Sequence, residues 1–164
     1  MIVFCRNQVW RQSICAIATR FVLIAMLLIG AMDVSVASTE KCPQSMAMKA
    51  MSEASNLKTW SAVFKSYKRY KRCDDGAIAE GYSASIADLL ANHWADTGKL
   101  VTLSNANPDF GRFVLRHVDE TMNMDQGKSI KDSATNNCSA KAKKLCRAIQ
   151  KRFMELDAFD AQKK

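Results

Sequence analysis

The residues able to do chemistry are few, and many crowd into Tyr70 to Ser83, "YKRCDDGAIAEGYS". Asp74, Asp75 and Glu80 supply carboxylates there, and the two histidines, His93 and His117, follow downstream. A calcium loop needs oxygen ligands at positions 1, 3 and 5 before its glycine. Counted back from Gly76, those positions hold Lys71, Cys73 and Asp75, so one of three fits. A glycosidase needs two carboxyls facing each other across a sugar. The spacing of Asp75 and Glu80 allows that, but nothing else supports it. Helix capping explains more. An aspartate at an N-cap accepts a backbone N–H, and acids there complement the helix dipole. Asp74 and Asp75 are therefore read as a helix start, with Gly76 in the crowded turn.

Glu80 falls on an alanine-rich face with Ala84, Ala87 and Ala91. There it is expected to be partly buried, and a buried carboxylate needs a hydrogen-bonded partner. Each histidine falls on an apolar helical face, which favours a core histidine; an ion pair with Glu80 or Asp75 is the alternative. No G-x-S-x-G, P-loop or H-E-x-x-H pattern occurs. The expectation is no catalytic residue, no cofactor and no metal. Asp74, Asp75, Glu80 and His117 stand as candidates for structural or partner-binding roles.

The role of the cysteines depends on the compartment. Arg6, Arg11 and Arg20 give a positive start, and "FVLIAMLLIGAM" (21–32) is an apolar run of twelve residues. "SVA" (35–37) then offers small residues to a signal peptidase. A spanning helix needs roughly 20 apolar residues, so a cleaved signal over 1–37 is expected, not a stable membrane anchor. The expected mature domain is 38–164, exported to the periplasm. The 24 basic and 16 acidic residues become 21 and 15 in that part, still a basic domain. Cys5 and Cys15 leave with the signal, and Cys42, Cys73, Cys138 and Cys146 remain. An even count in an exported chain predicts two disulfides. Three pairings are open; we prefer Cys42–Cys73 with Cys138–Cys146. The second bond requires Cys138 to lie outside the last helix, because eight helical residues span ~12 Å. Zinc spacing is absent.

Helical periodicity runs through the mature part, and no stretch alternates as a half-buried strand would. Trp60, Val63, Phe64, Tyr67 and Tyr70 share one face, and a weaker helix covers 44–56. Ile78, Tyr82, Ile86, Leu89, Leu90 and His93 mark a central helix near 75–96. Small residues on its other side would let a second backbone approach, and Thr97-Gly98 would stop it. Asn107, Pro108 and Asp109 announce a helix start. Its face is Phe110, Phe113, Val114, His117, Val118 and Thr121. Ala142, Leu145, Cys146, Ile149, Phe153 and Leu156 form the last stripe, and 99–104 and 126–135 suggest shorter pieces. The fold class is all-α, one compact domain of about five to seven helices.

"YKRYKR" (67–72) interleaves aromatics with bases, as polyanion binders do, but helical spacing puts Tyr67 and Tyr70 on the core stripe, so no nucleic acid is favoured. An exported cationic binding protein for an anionic envelope partner remains the alternative function. Three further stretches carry a resemblance: "CDDGAIAEGYS" (73–83), "FVLRHVDET" (113–121), and the "NNC" and "LC" around Cys138 and Cys146. Over roughly 60–153 the chain resembles periplasmic immunity proteins that neutralise peptidoglycan amidases delivered by type VI secretion. The resemblance implies a helical, non-catalytic inhibitor, often a homodimer, that plugs an amidase active site without a cofactor.

Overall fold

The computed structural model describes residues 41–163. The expected export signal, 1–37, lies outside the described residues. Among the described residues seven α-helices follow one another: α1 (Gln44–Ala54), α2 (Trp60–Tyr70), α3 (Gly76–Asn92), α4 (Thr97–Ala106), α5 (Pro108–Arg116), α6 (Met124–Asn136) and α7 (Lys143–Gln162). Short 3-10 turns at Lys71–Cys73, Trp94–Asp96 and Ala140–Ala142 join some of them, and no strand occurs among the described residues. None of the helices among the described residues is long and apolar enough to cross a membrane.

The central helix is α3. It packs most extensively against α1 and α6, and Ile78, Tyr82, Ile86, Leu89 and Leu90 are buried along it. Its small residues do admit another backbone. A Cβ added at Gly81 would lie 3.0 Å from the Ala54 Cβ and 3.2 Å from the Ser55 nitrogen. Ser85 closes the same contact chemically: its hydroxyl donates to the Ala54 carbonyl at 2.6 Å and accepts from the Leu57 N–H at 3.1 Å. A helix C-terminus leaves carbonyls unpaired, and here the neighbouring helix supplies a donor.

Several expected boundaries shift, each for a local reason. α3 stops at Asn92, not near 96, because His93 leaves the helical region. His93 is then exposed, not on a core face. Trp94 turns away to donate its indole N–H to the Asn137 carbonyl at 3.0 Å. The Thr97 hydroxyl donates to the Trp94 carbonyl at 2.7 Å, so Thr97-Gly98 opens α4 instead of stopping α3. The start of α5 is as the sequence predicts: Asn107 caps it by accepting from the Phe110 N–H at 3.1 Å, and Pro108 is its first residue. That helix ends at Arg116, so Thr121 is exposed beyond its stripe.

Both preferred disulfides are present. Cys42–Cys73 ties the chain before α1 to the turn after α2, and Cys138–Cys146 ties the α6–α7 connection to α7. Cys138 lies outside α7, as that bond requires.

Two carboxylates take positions other than those expected. Asp75, not Asp74, is the N-cap of α3, accepting from the Gly76 N–H at 2.8 Å. Gly76 has φ +51°, a conformation that glycine adopts without the Cβ penalty. Glu80 is exposed, because Gly81, one position on, takes the contact with α1. Asp75→Ala should therefore cost about 1 kcal/mol, the usual value of a cap. Glu80→Ala should stay within about 0.5 kcal/mol, as exposed substitutions do. Urea melts of the two variants check this, and a Glu80→Ala loss larger than that of Asp75→Ala would contradict it.

Candidate functional site

The polar groups of the two stretches 73–83 and 113–121 meet beside the aromatic core. His117 stands at the end of α5, 4.5 Å from the Phe113 ring and 5.6 Å from the Tyr82 ring. Its Nδ1 lies 3.0 Å from the Ser83 hydroxyl oxygen on α3. Its Nε2 lies 3.1 Å from Asp74 Oδ1, at ion-pair distance but without the alignment of a hydrogen bond. The ion pair thus joins His117 to Asp74, not to Glu80 or Asp75. Arg116 reaches the other Asp74 oxygen at 3.3 Å.

Ser83 has one hydroxyl proton, and it goes to Asp119 Oδ2 at 2.6 Å. Toward His117 the serine therefore offers a lone pair, and Nδ1–H donates. An oxygen thus lies near each ring nitrogen. The other Asp119 oxygen accepts from the Thr121 N–H at 3.0 Å and from its hydroxyl at 2.6 Å. Burial alone would raise the pKa of Asp74, but the close approach and charge of His117, with the bond and charge of Arg116, hold its carboxyl below the usual range. At Asp119, too, burial acts to raise the pKa, and the bonds from Ser83 and Thr121 outweigh it.

Serine, histidine and aspartate are the residue types of a hydrolytic triad, but this arrangement runs the other way. A catalytic serine gives its proton to histidine and meets substrate. Ser83 gives its proton to a carboxylate, and Ser83 and His117 are only 1% and 5% exposed. What the cluster does is hold the turn 117–123 between α5 and α6. Arg152 of α7 adds a further tie, donating to the Val118 carbonyl at 2.9 Å. The turn is thereby fixed to α3, to the Cys73–Asp75 segment and to α7. Glu120, Thr121 and Asn123 stand exposed on it, and Met124 just beyond is 91% exposed.

Clefts lie on both sides of this turn. One of about 490 Å³ includes Glu120, Met124, Phe153, Leu156 and Asp160 in its lining; the other, about 410 Å³, includes Glu80, Ala84, Ala87 and Gln126. Glu80 therefore borders the turn without joining the buried network. Among the described residues, no group of three or more His, Cys, Asp and Glu side chains could hold a metal ion. The "YKRYKR" stretch offers no stacking platform, since Tyr67 and Tyr70 are 5% and 2% exposed.

Of the four candidate residues, the network takes Asp74 and His117, and leaves Asp75 as a cap and Glu80 on the surface. Ser83 and Asp119 were not expected in it. Two signals in the chain point to them: a small hydroxyl residue amid the apolar positions of α3, and the spacing of Asp119 and Thr121, which suits a carboxylate bonding the backbone two residues on. No family model matches the chain, and no curated protein or solved structure matches it significantly.

Proposed function

We propose that this chain is a periplasmic immunity protein that binds and inhibits a type VI secreted peptidoglycan amidase. The observation that carries this reading is the use made of the serine, histidine and aspartates. Ser83 and His117 are buried and Asp74 and Asp119 half-buried; all are committed to one another, and they brace an exposed turn. A braced turn loses little conformational freedom on binding, and such pre-organisation favours affinity. The stretches that resemble immunity proteins supply this network: Asp74 and Ser83 come from 73–83, and His117, Asp119 and Thr121 from 113–121. Two disulfides suit an oxidising compartment. The reading includes export through the cleaved signal, a homodimer and no cofactor. The cationic binding alternative is disfavoured by the buried tyrosines of 67–72.

The test is periplasmic expression of the cognate peptidoglycan amidase that this proposal requires, with and without the chain. Lysis should occur alone and be suppressed on co-expression. A Glu120→Arg variant with unchanged melting should bind the hydrolase at least ~5-fold more weakly, about 1 kcal/mol, if the turn is a binding anchor. Equal lysis in both strains, or peptidoglycan cleavage by this protein alone, would overturn the inhibitor reading.

A further inference from the structure

A third cleft, of about 300 Å³, opens between α4, α5 and the start of α7, away from the braced turn. Val101, Leu115, Leu145 and Ala148 give it an apolar lining, and Arg112, Lys141 and Lys144 also border it. No acidic residue lines it, although the chain has 16. Arg112 shares the charge of Asp109, one turn back on α5. The Ser104 hydroxyl lies in this lining with its oxygen buried and no hydrogen-bond partner. Gly111 faces it; a Cβ there would press on Ser104 Oγ at 3.3 Å.

These features point to one ligand chemistry. Apolar walls favour a hydrocarbon chain, and burying one releases about 25 cal/mol per Å² of apolar surface. Lys141 and Lys144, with Arg112 partly neutralised by Asp109, favour a negative head group. The volume equals roughly ten waters at ~30 Å³ each, at the small end of ligand pockets. We propose that this cleft binds a small amphiphilic carboxylate, an acyl chain of about ten non-hydrogen atoms with its head at Arg112, Lys141 and Lys144. The acyl chain lies along Leu145 and Ala148.

Octanoate is the probe, titrated into the purified full-length protein by calorimetry and by amide NMR shifts. It should bind saturably, at least ~10-fold more tightly than acetate, which lacks the chain, or octan-1-ol, which lacks the charge; tenfold is about 1.4 kcal/mol. Lys144→Glu and Arg112→Glu alter exposed side chains and should each weaken octanoate by ~5-fold or more while leaving octan-1-ol unchanged. Ala148→Phe should fill the slot and abolish both. Octanoate binding no tighter than acetate, or undiminished by both charge reversals, would overturn the proposal. The reversals keep it falsifiable even if Ala148→Phe does not fold. None of these residues belongs to the braced turn, so protection from the hydrolase should persist in every folded variant.

Discussion

Asp74→Ala should cost the domain about 3–5 kcal/mol, the usual result of removing one partner from a buried charge pair. His117, 5% exposed, would keep a nitrogen facing an empty, desolvated space, and Arg116 would lose its partner. Against a typical stability of about 5–15 kcal/mol, that is a large share. Asp75→Ala, one residue away, should cost only about 1 kcal/mol as a lost cap. Chemical denaturation of the two neighbours compares them directly; equal losses would remove the case for a buried pair. The same carboxyls set the acid limb of stability. Asp74 and Asp119 both titrate below their ordinary 3.8 when folded. As pH falls, the unfolded chain therefore takes up their protons first. Their contribution is present above about pH 4 and is lost as pH falls through the lower folded values. Asp74→Asn should flatten that limb, and an unchanged acid profile would contradict the assignment.

Loss of the Cys42–Cys73 bond should be comparably large. The bond spans 31 residues and Cys138–Cys146 spans 8. Chain-entropy arguments give about 3.7 kcal/mol for the longer loop and about 2.5 kcal/mol for the shorter. The paired replacement Cys42→Ser with Cys73→Ser should thus destabilise the domain by about 1 kcal/mol more than the pair at 138 and 146. Its effect should also reach the site, because Asp74 follows Cys73 directly. Denaturation midpoints of both double variants, and a His117 side-chain NMR signal in the first, check this. A larger loss from the short loop, or an unperturbed His117 in the Cys42/Cys73 variant, would count against it.

The fold was legible in the sequence because its signals are local. The Asn107-Pro108 start, the stripe from Trp60 to Tyr70 and the last stripe through Ile149 and Phe153 each depend on residues within a few turns of one another. The site was legible only in part. Asp74 and His117 were visible as types, but their pairing crosses 43 positions of the chain. The choice between Asp74 and Asp75 as cap turned on one bond to Gly76. Glu80 misled because an alanine-rich face suggests burial, whereas the buried approach is centred on Gly81, next in sequence and about 100° around the helix. His93 misled because periodicity continues to the eye after the backbone has left the helix.

The contact at Gly81 also limits how this sequence can drift. Most tight pairs in a core can change together, one side chain shrinking as the other grows. Replacing Ala54 by glycine would remove the Cβ that a new methyl at 81 would meet at 3.0 Å, but not the Ser55 nitrogen at 3.2 Å. That second neighbour is main chain, and no substitution can trim it. Position 81 therefore has no compensating side-chain partner: a lineage that leaves glycine there must shift the Ala54–Ser55 main chain by a few tenths of an ångström, where Ser85 bonds Ala54 and Leu57.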